Sequence, residues 1–452
     1  MGIRSDRHCY YILTVISLFL PFVISVTQAE AATLSSSSHR ISEDTSPGGL
    51  FAALRSTMLH HPSLASQQAL VRSKEASADS ARAARLPTLG ASAGTGQISG
   101  YSDSRTTTLS VSQPLWAFGR IDSAIDYADN DTLAQQATAW ATRRELLEDT
   151  AVAYANIQGI RERLAVAESN VNNHQALQEQ IQRRAQGGLA SPADVSLAKA
   201  RLLQARSSLE QAKSDLRTAE STLLSLTQVP IASELPIPGS ILKLPADTSI
   251  QEQILAQSAT VRAREAAVTL AEADVERQRT SSRPTVSLQA ARNEYSGMPN
   301  QRNNNTVNVV VTGTMEGLGL VSRGLQNAAL ERVESARQDL AEQRHSEDIQ
   351  TRQLLDQRDA NQTLIAGYEQ SVVELSGTLA SFRRQYESGY KSWLDVLNAV
   401  RELTEQQQAL VSVRSAWRVD CLRLAARTGR MDDTTGALTT GTQFANTSAS
   451  HP

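Results

Sequence analysis

Three landmarks in this chain recur in the same order about two hundred residues downstream, and a fixed long-range echo of this kind decides architecture before any local reading does. Pro87-Thr88-Leu89 returns as Pro284-Thr285-Val286. Val111-Ser112-Gln113-Pro114-Leu115, running on to Gly119, returns as Val311-Thr312-Gly313-Thr314-Met315, running on to Gly319. Gly188-Leu189-Ala190-Ser191-Pro192-Ala193-Asp194-Val195 returns as Gly389-Tyr390-Lys391-Ser392-Trp393-Leu394-Asp395-Val396. The pattern predicts a duplicated unit of helix, strand pair and helices.

The local signals place the elements. In repeat 1, residues 48–229, a helix spans 48–84. A strand pair covers 86–116, with turn chemistry at 100–104. Thr107, Leu109 and Val111 alternate with Thr106, Thr108, Ser110 and Ser112, which marks a strand with two unlike faces. A long helix at 120–186 contains no Pro and a single Gly, Gly159. After a Gly corner, a helix at 191–227 carries Val195, Leu202, Leu209, Leu216 and Leu223 at heptad spacing. Pro230, Pro236, Pro238 and Pro245 mark a connector at 230–247.

Repeat 2, residues 248–428, has a helix at 248–281 and a strand pair within 284–316, broken by Asn303-Asn304-Asn305. A long helix at 322–385 follows, then a last helix at 392–427 with Val396, Leu403, Leu410, Trp417 and Leu424 at the same period. A helix of about 65 residues is about 100 Å long, which two helices of about 36 residues stacked end to end would match. Four strands cannot close a barrel, since small membrane barrels need about eight. The expected fold is therefore mainly α with a membrane β part, the strands of several copies completing one wall.

Composition narrows the function. A net charge of −3 excludes a general nucleic-acid field. Hydrophobic residues make up 40% but aromatics only 4%, which suits thin layers of long helices better than a thick core. Arg4 and Arg7 precede an apolar stretch from Tyr10 to Val26 that is interrupted by Pro21, and Ala29-Glu30-Ala31 supplies small residues. Residues 1–31 thus read as a cleaved export signal, with a membrane anchor as the alternative. Cys9 would leave with the signal, so Cys421 would have no partner for an internal disulfide. After the signal no 18-residue apolar run follows, so no membrane-spanning helix is expected, whereas spanning strands leave only a weak hydropathy trace. Residues 32–47 read as a loose arm and 429–452 as a disordered tail.

Three chemistry-bearing motifs are missing: there is no phosphate-binding loop, no H-E-x-x-H and no metal-spaced Cys pair. Neither a cofactor nor an enzymatic role is expected. His60-His61 lies beside Pro62 at a bend and points to different faces. Gly317-Leu318-Gly319 misses dinucleotide spacing and relieves crowding where a strand becomes a helix. Trp116 and Phe118 sit at the equivalent junction, packing there or anchoring at a membrane boundary.

With these residues in view, Ser112-Gln113-Pro114-Leu115-Trp116 with Gly119-Arg120, and the two Gly-to-Asp-Val corners, resemble the TolC-type outer-membrane efflux and secretion proteins. The likeness covers nearly all of the chain after the signal. It implies a homotrimer whose twelve-stranded outer-membrane barrel continues into a long periplasmic α-helical barrel of a Gram-negative cell. It implies partners: outer-membrane lipid, a periplasmic adaptor, and an inner-membrane transporter of the ABC type by preference or of the RND type. The function it implies is an exit duct, for type I protein secretion by preference or for small-molecule efflux. A non-conducting periplasmic coiled-coil adaptor is a rival of another class. The resemblance also implies a gate at the helical mouth. Tyr386 takes the family's Tyr position, Lys391 its Arg position, and Asp194 and Asp395 two of its Asp positions, while Asn398 replaces the third. Each Asp could equally be a helix cap. Gly187, Gly188, Leu189 and Ser191, with Gly389, Tyr390 and Ser392, resemble the hairpin tips that meet the adaptor.

Overall fold

A computed structural model describes residues 49–98, 101–244, 247–296 and 302–432. The expected signal, arm and most of the expected tail lie outside these residues. The elements run α1 (Leu50–His60), α2 (Pro62–Ala83), β1 (Thr88–Ile98), β2 (Tyr101–Trp116), α3 (Arg120–Gln186), α4 (Pro192–Thr227), α5 (Gly239–Leu242), α6 (Asp247–Gln257), α7 (Ala259–Thr280), β3 (Thr285–Ser296) and β4 (Asn304–Thr312). A 3₁₀ turn (Glu316–Gly319), α8 (Leu320–Glu387) and α9 (Trp393–Arg427) complete the order.

The long helices match their expected spans to within about two residues, the ordinary uncertainty of a helix end. α3 has 67 residues and α8 has 68, while α4 has 36 and α9 has 35. α2 and α4 both pack along α3, and α7 and α9 both pack along α8. α3 also touches α7 and α9, so the two halves share one helical layer. Gly159 is explained by this contact: a Cβ there would run into the side chain of Ser415 on α9.

Each expected opening helix is in fact two. Residues 48–84 break at His61, whose extended backbone (φ −70, ψ 126) precedes Pro62, a residue disfavouring helix before it. Residues 248–281 break at Ser258 (φ −55, ψ 122), whose hydroxyl accepts from Val261 N at 3.3 Å and so starts α7. The connector is tied across the bundle by its carbonyls. Tyr154 Oη donates to Leu235 O at 2.6 Å, and Arg161 Nη1 donates to Ser233 O at 2.6 Å. Residues 429–432, expected in the loose tail, are packed instead: Met431 is buried and Asp432 pairs with Arg144 at 2.5 Å.

The strands form one antiparallel sheet in the order β1-β2-β3-β4. β2 already begins at Tyr101, so the expected turn at 100–104 is mostly strand. β4 ends at Thr312 rather than near 316, and Gly313 lies close against Pro284. Register separates the faces, because directly opposite residues point the same way. Leu89, Val111, Ala290 and Val307 form one row across all four strands. Leu288 with Val309, and Val286 with Val311, continue that apolar face. The opposite face carries Ser92, Thr108, Asn293 and Asn304 in one row and Thr88, Ser112, Gln289 and Asn308 in another. Thr108 donates to Asn293 at 2.8 Å and Asn293 donates to Asn304 at 3.0 Å. The apolar face is exposed, with Leu89 at 80% and Val309 at 64%, whereas on the two central strands Thr108, Ser112, Gln289 and Asn293 of the opposite face are half-buried. Among the described residues β1 and β4 each keep one edge without a strand partner.

Candidate functional site

The two helical corners are built alike, bond for bond. α3 ends in a Schellman motif: Leu189 N donates to Arg184 O at 2.8 Å and Gly188 N to Ala185 O at 3.0 Å. α8 ends the same way, with Tyr390 N to Gln385 O at 2.8 Å and Gly389 N to Tyr386 O at 3.2 Å. Gly188 (φ +75) and Gly389 (φ +85) take the left-handed conformation that this motif requires. A capping box then opens each following helix. Ser191 Oγ accepts from Asp194 N at 3.1 Å, while Asp194 Oδ2 accepts from Ser191 N at 3.0 Å and from its hydroxyl at 2.9 Å. Ser392 and Asp395 repeat this at 3.2, 3.1 and 2.9 Å. Chain reversal thus needs only Gly, then Ser-x-x-Asp.

Both carboxylates are therefore caps. The backbone N–H of Ser191 first, then its hydroxyl, hold Asp194 below the usual carboxylate range, and the Trp393 indole of the other corner adds to this. Asp395 is lowered first by the Ser392 hydroxyl, then by its backbone N–H, with a further contribution from the charge of Lys391. Both stay ionised at neutral pH, and each keeps a second oxygen outside the cap.

The two corners are packed together. Leu177, Ile181 and Ala198 of the first hairpin share a buried cluster with Leu379, Tyr386, Trp393, Val396 and Val400 of the second. Tyr386 is buried, with the Arg184 guanidinium 4.5 Å from its ring centroid, a cation–π contact between the corners. Lys391 Nζ lies 4.4 Å from the Phe382 ring centroid. Asn398, one turn beyond Asp395, is exposed and lines a small polar pocket between α3, α4 and α9. Leu189 and Tyr390 project at the tips, 75% and 86% exposed, while Gly187, Ser191 and Ser392 are also exposed. Sequence reasoning gives no site role to Arg184 or Trp393. Nothing along the chain signals one, because their roles depend on which faces of two hairpins meet. Among the described residues no cluster of His, Cys, Asp and Glu could hold a metal ion.

A model of the outer membrane efflux protein family matches residues 53–227 and 250–430, one segment in each half of the chain. The chain belongs to that family. Two relatives, from two strains of Pseudomonas putida, are each 27% identical over 188 residues: the probable efflux pump outer membrane protein SepC and the toluene efflux pump outer membrane protein TtgF. The matched stretch is 41% of this chain and only 39% of either relative. The solved structure of CusC superposes with a TM-score of 0.75 at 19% identity, covering 84% of this chain and 91% of that one. At such identity the likeness speaks to the fold. Family membership places the chain in the outer membrane. No described helix is long and apolar enough to cross a membrane.

Proposed function

We propose that the chain is an outer-membrane exit duct for small molecules, a conduit with no catalytic step of its own. The observation that carries this reading is the sheet whose apolar face is exposed and whose opposite face is a polar ladder. That polarity is inverted for a water-soluble protein and suits strands with lipid outside and water inside. The unpaired edges of β1 and β4 call for further copies, since an exposed long edge is a pairing site. Three copies would supply twelve strands, and the matching halves of the chain read as two internal repeats. The helical part would extend the duct through the periplasm to an adaptor at the exposed tips.

Type I protein secretion, preferred on sequence alone, gives way here to efflux. SepC and TtgF are both named for efflux pumps, and the family itself is named for efflux. The inner-membrane partner then shifts from the ABC type to a proton-driven RND type. A periplasmic adaptor is disfavoured because each half carries its own strand pair in a single sheet.

The mouth of the duct would be formed by the packed corners, with Tyr386 and Lys391 among its ties and Asp194 and Asp395 directing their free oxygens to the lumen. Asn398 would leave that ring with fewer charges than a full acidic set. Reconstitution of the purified trimer in a planar bilayer tests the duct, and absence of conductance would defeat it. Replacing Asp194 and Asp395 by Asn keeps the caps' hydrogen-bonding shape but removes charge. Cation preference should fall, and unchanged selectivity would remove the Asp ring from the proposal.

A further inference from the structure

The pocket beside Asn398 holds chemistry that the duct reading leaves unused. It has a volume of about 170 Å³, enough to admit several waters. Asn170 and His174 reach it from α3, Arg201 from α4, and Asn398, Arg401 and Glu405 from α9. One of these, Arg201, has a buried polar atom without the partner such groups ordinarily have. Arg201 Nε is buried without an acceptor, and Arg201 forms no ion pair among the described residues; its Nη1 donates only to the neutral Gln204 at 2.9 Å. His174 is 7% exposed and makes no hydrogen bond among the described residues. Asn170 Oδ1 accepts from Thr404 at 3.2 Å, which leaves its amide nitrogen as a donor. Glu405 is the one acidic group at the pocket and lies 3.8 Å from Arg401.

The surplus is thus of donors and of positive charge, at a place where three helices of both halves converge. We infer that this pocket is a binding site for a small oxyanion, held by Arg201 and Arg401 with Asn170, Asn398 and His174 as further donors. A carboxylate or a phosphate group presents acceptors that such a set satisfies, and charge-assisted bonds to a guanidinium are the strong ones. A bound anion would fasten α3 and α4 of the first hairpin to α9 of the second. His174 shares the pocket with Arg201 on α4 and with Arg401 and Glu405 on α9. Its burial and the Arg201 charge hold it neutral below its ordinary titration range. An anion between them offsets that charge, so binding should tighten as the pH falls and His174 takes up its proton.

The test uses the full-length protein purified in detergent, titrated with inorganic phosphate or with acetate at constant ionic strength, chloride being the reference. The expected result is saturable binding, read as a rise in the unfolding midpoint and as ³¹P line broadening for phosphate. Arg201→Gln should weaken apparent affinity about tenfold, the loss of one charge-assisted hydrogen bond. Arg401→Gln is the second variant, since it is exposed and its removal leaves the core intact. The stronger of phosphate and acetate identifies the oxyanion preferred. The inference is overturned if neither anion acts beyond chloride, or if both variants, folded by circular dichroism, bind as the parent does.

Discussion

Asp194 and Asp395 show why a residue can be read correctly for position and incompletely for role. The Gly, Ser and Asp spacing announces a corner and a cap, and both form as a Schellman turn followed by a capping box. Whether the remaining carboxylate oxygen faces a lumen depends on neighbouring copies, which no spacing encodes. Three outcomes follow at this scale. Gly188→Ala or Gly389→Ala forces a Cβ into a left-handed conformation and should cost about 1 kcal/mol, measured as a shift in the unfolding midpoint. Ser392→Ala should remove about 1 kcal/mol of cap stabilisation, with the amides of the first turn of α9 exchanging faster. The pH response has a fixed sign. Asp194 and Asp395 are lowered in the folded state, so their contribution is present above the ordinary carboxylate value of 3.8 and is lost as pH falls through their folded values. His174 is lowered too, but as a base, so the unfolded chain binds its proton first and stability starts to fall below about 6.5. The acid side of the stability profile should therefore start to slope down below about 6.5, and His174→Gln should remove that part of the slope; an unchanged profile would contradict the assignment.

At the scale of elements, α3, α4, α8 and α9 are legible because long uninterrupted apolar periods without Pro leave no competing structure. The breaks at His61 and Ser258 are less so. Pro62 signals the first, whereas Ser258 starts a new helix only because its hydroxyl finds Val261 N. The packed residues 429–432 are hidden by their composition: Met431, Asp432 and Gly429 look like a tail until Arg144, Gln257 and the connector are placed around them. Deleting 429–452 should cost about 3–5 kcal/mol more than deleting 433–452, since Arg144 would be left as a buried charge without its carboxylate. Comparing the two truncations in denaturant measures this difference. Cys421 on α9 offers an internal probe. Burial pushes its thiol up to about 12, so maleimide should leave it unlabelled in the folded protein and react only as α9 opens.

For the whole molecule, the sheet is the feature least legible in detail and most telling once seen. The alternation of β2 is readable, but an alternating strand does not say which face meets solvent. The register does, by aligning Leu89, Val111, Ala290 and Val307 on one side and the Thr and Asn ladder on the other. Placing a charge on the apolar side, as in Val309→Arg, should cost about 2–4 kcal/mol if that position lies near the bilayer midplane. Val310→Arg, on the opposite face, should cost much less. The contrast is measurable as folding yield into lipid vesicles, and equal losses would argue against lipid on the apolar side.

The junction between β2 and β3 also bears on how the chain matures. Thr108 and Asn293 bond across a separation of 185 positions, whereas β1 with β2, and β3 with β4, are neighbours along the chain. Each hairpin can close early, but their union must wait until α3 and α4 have emerged and folded back, a loop whose closure is entropically slow. Until then two short hairpins with apolar faces and open edges stand exposed, so assembly should be limited by this one seam, and a chaperone that shields strand edges would have its greatest effect before it closes.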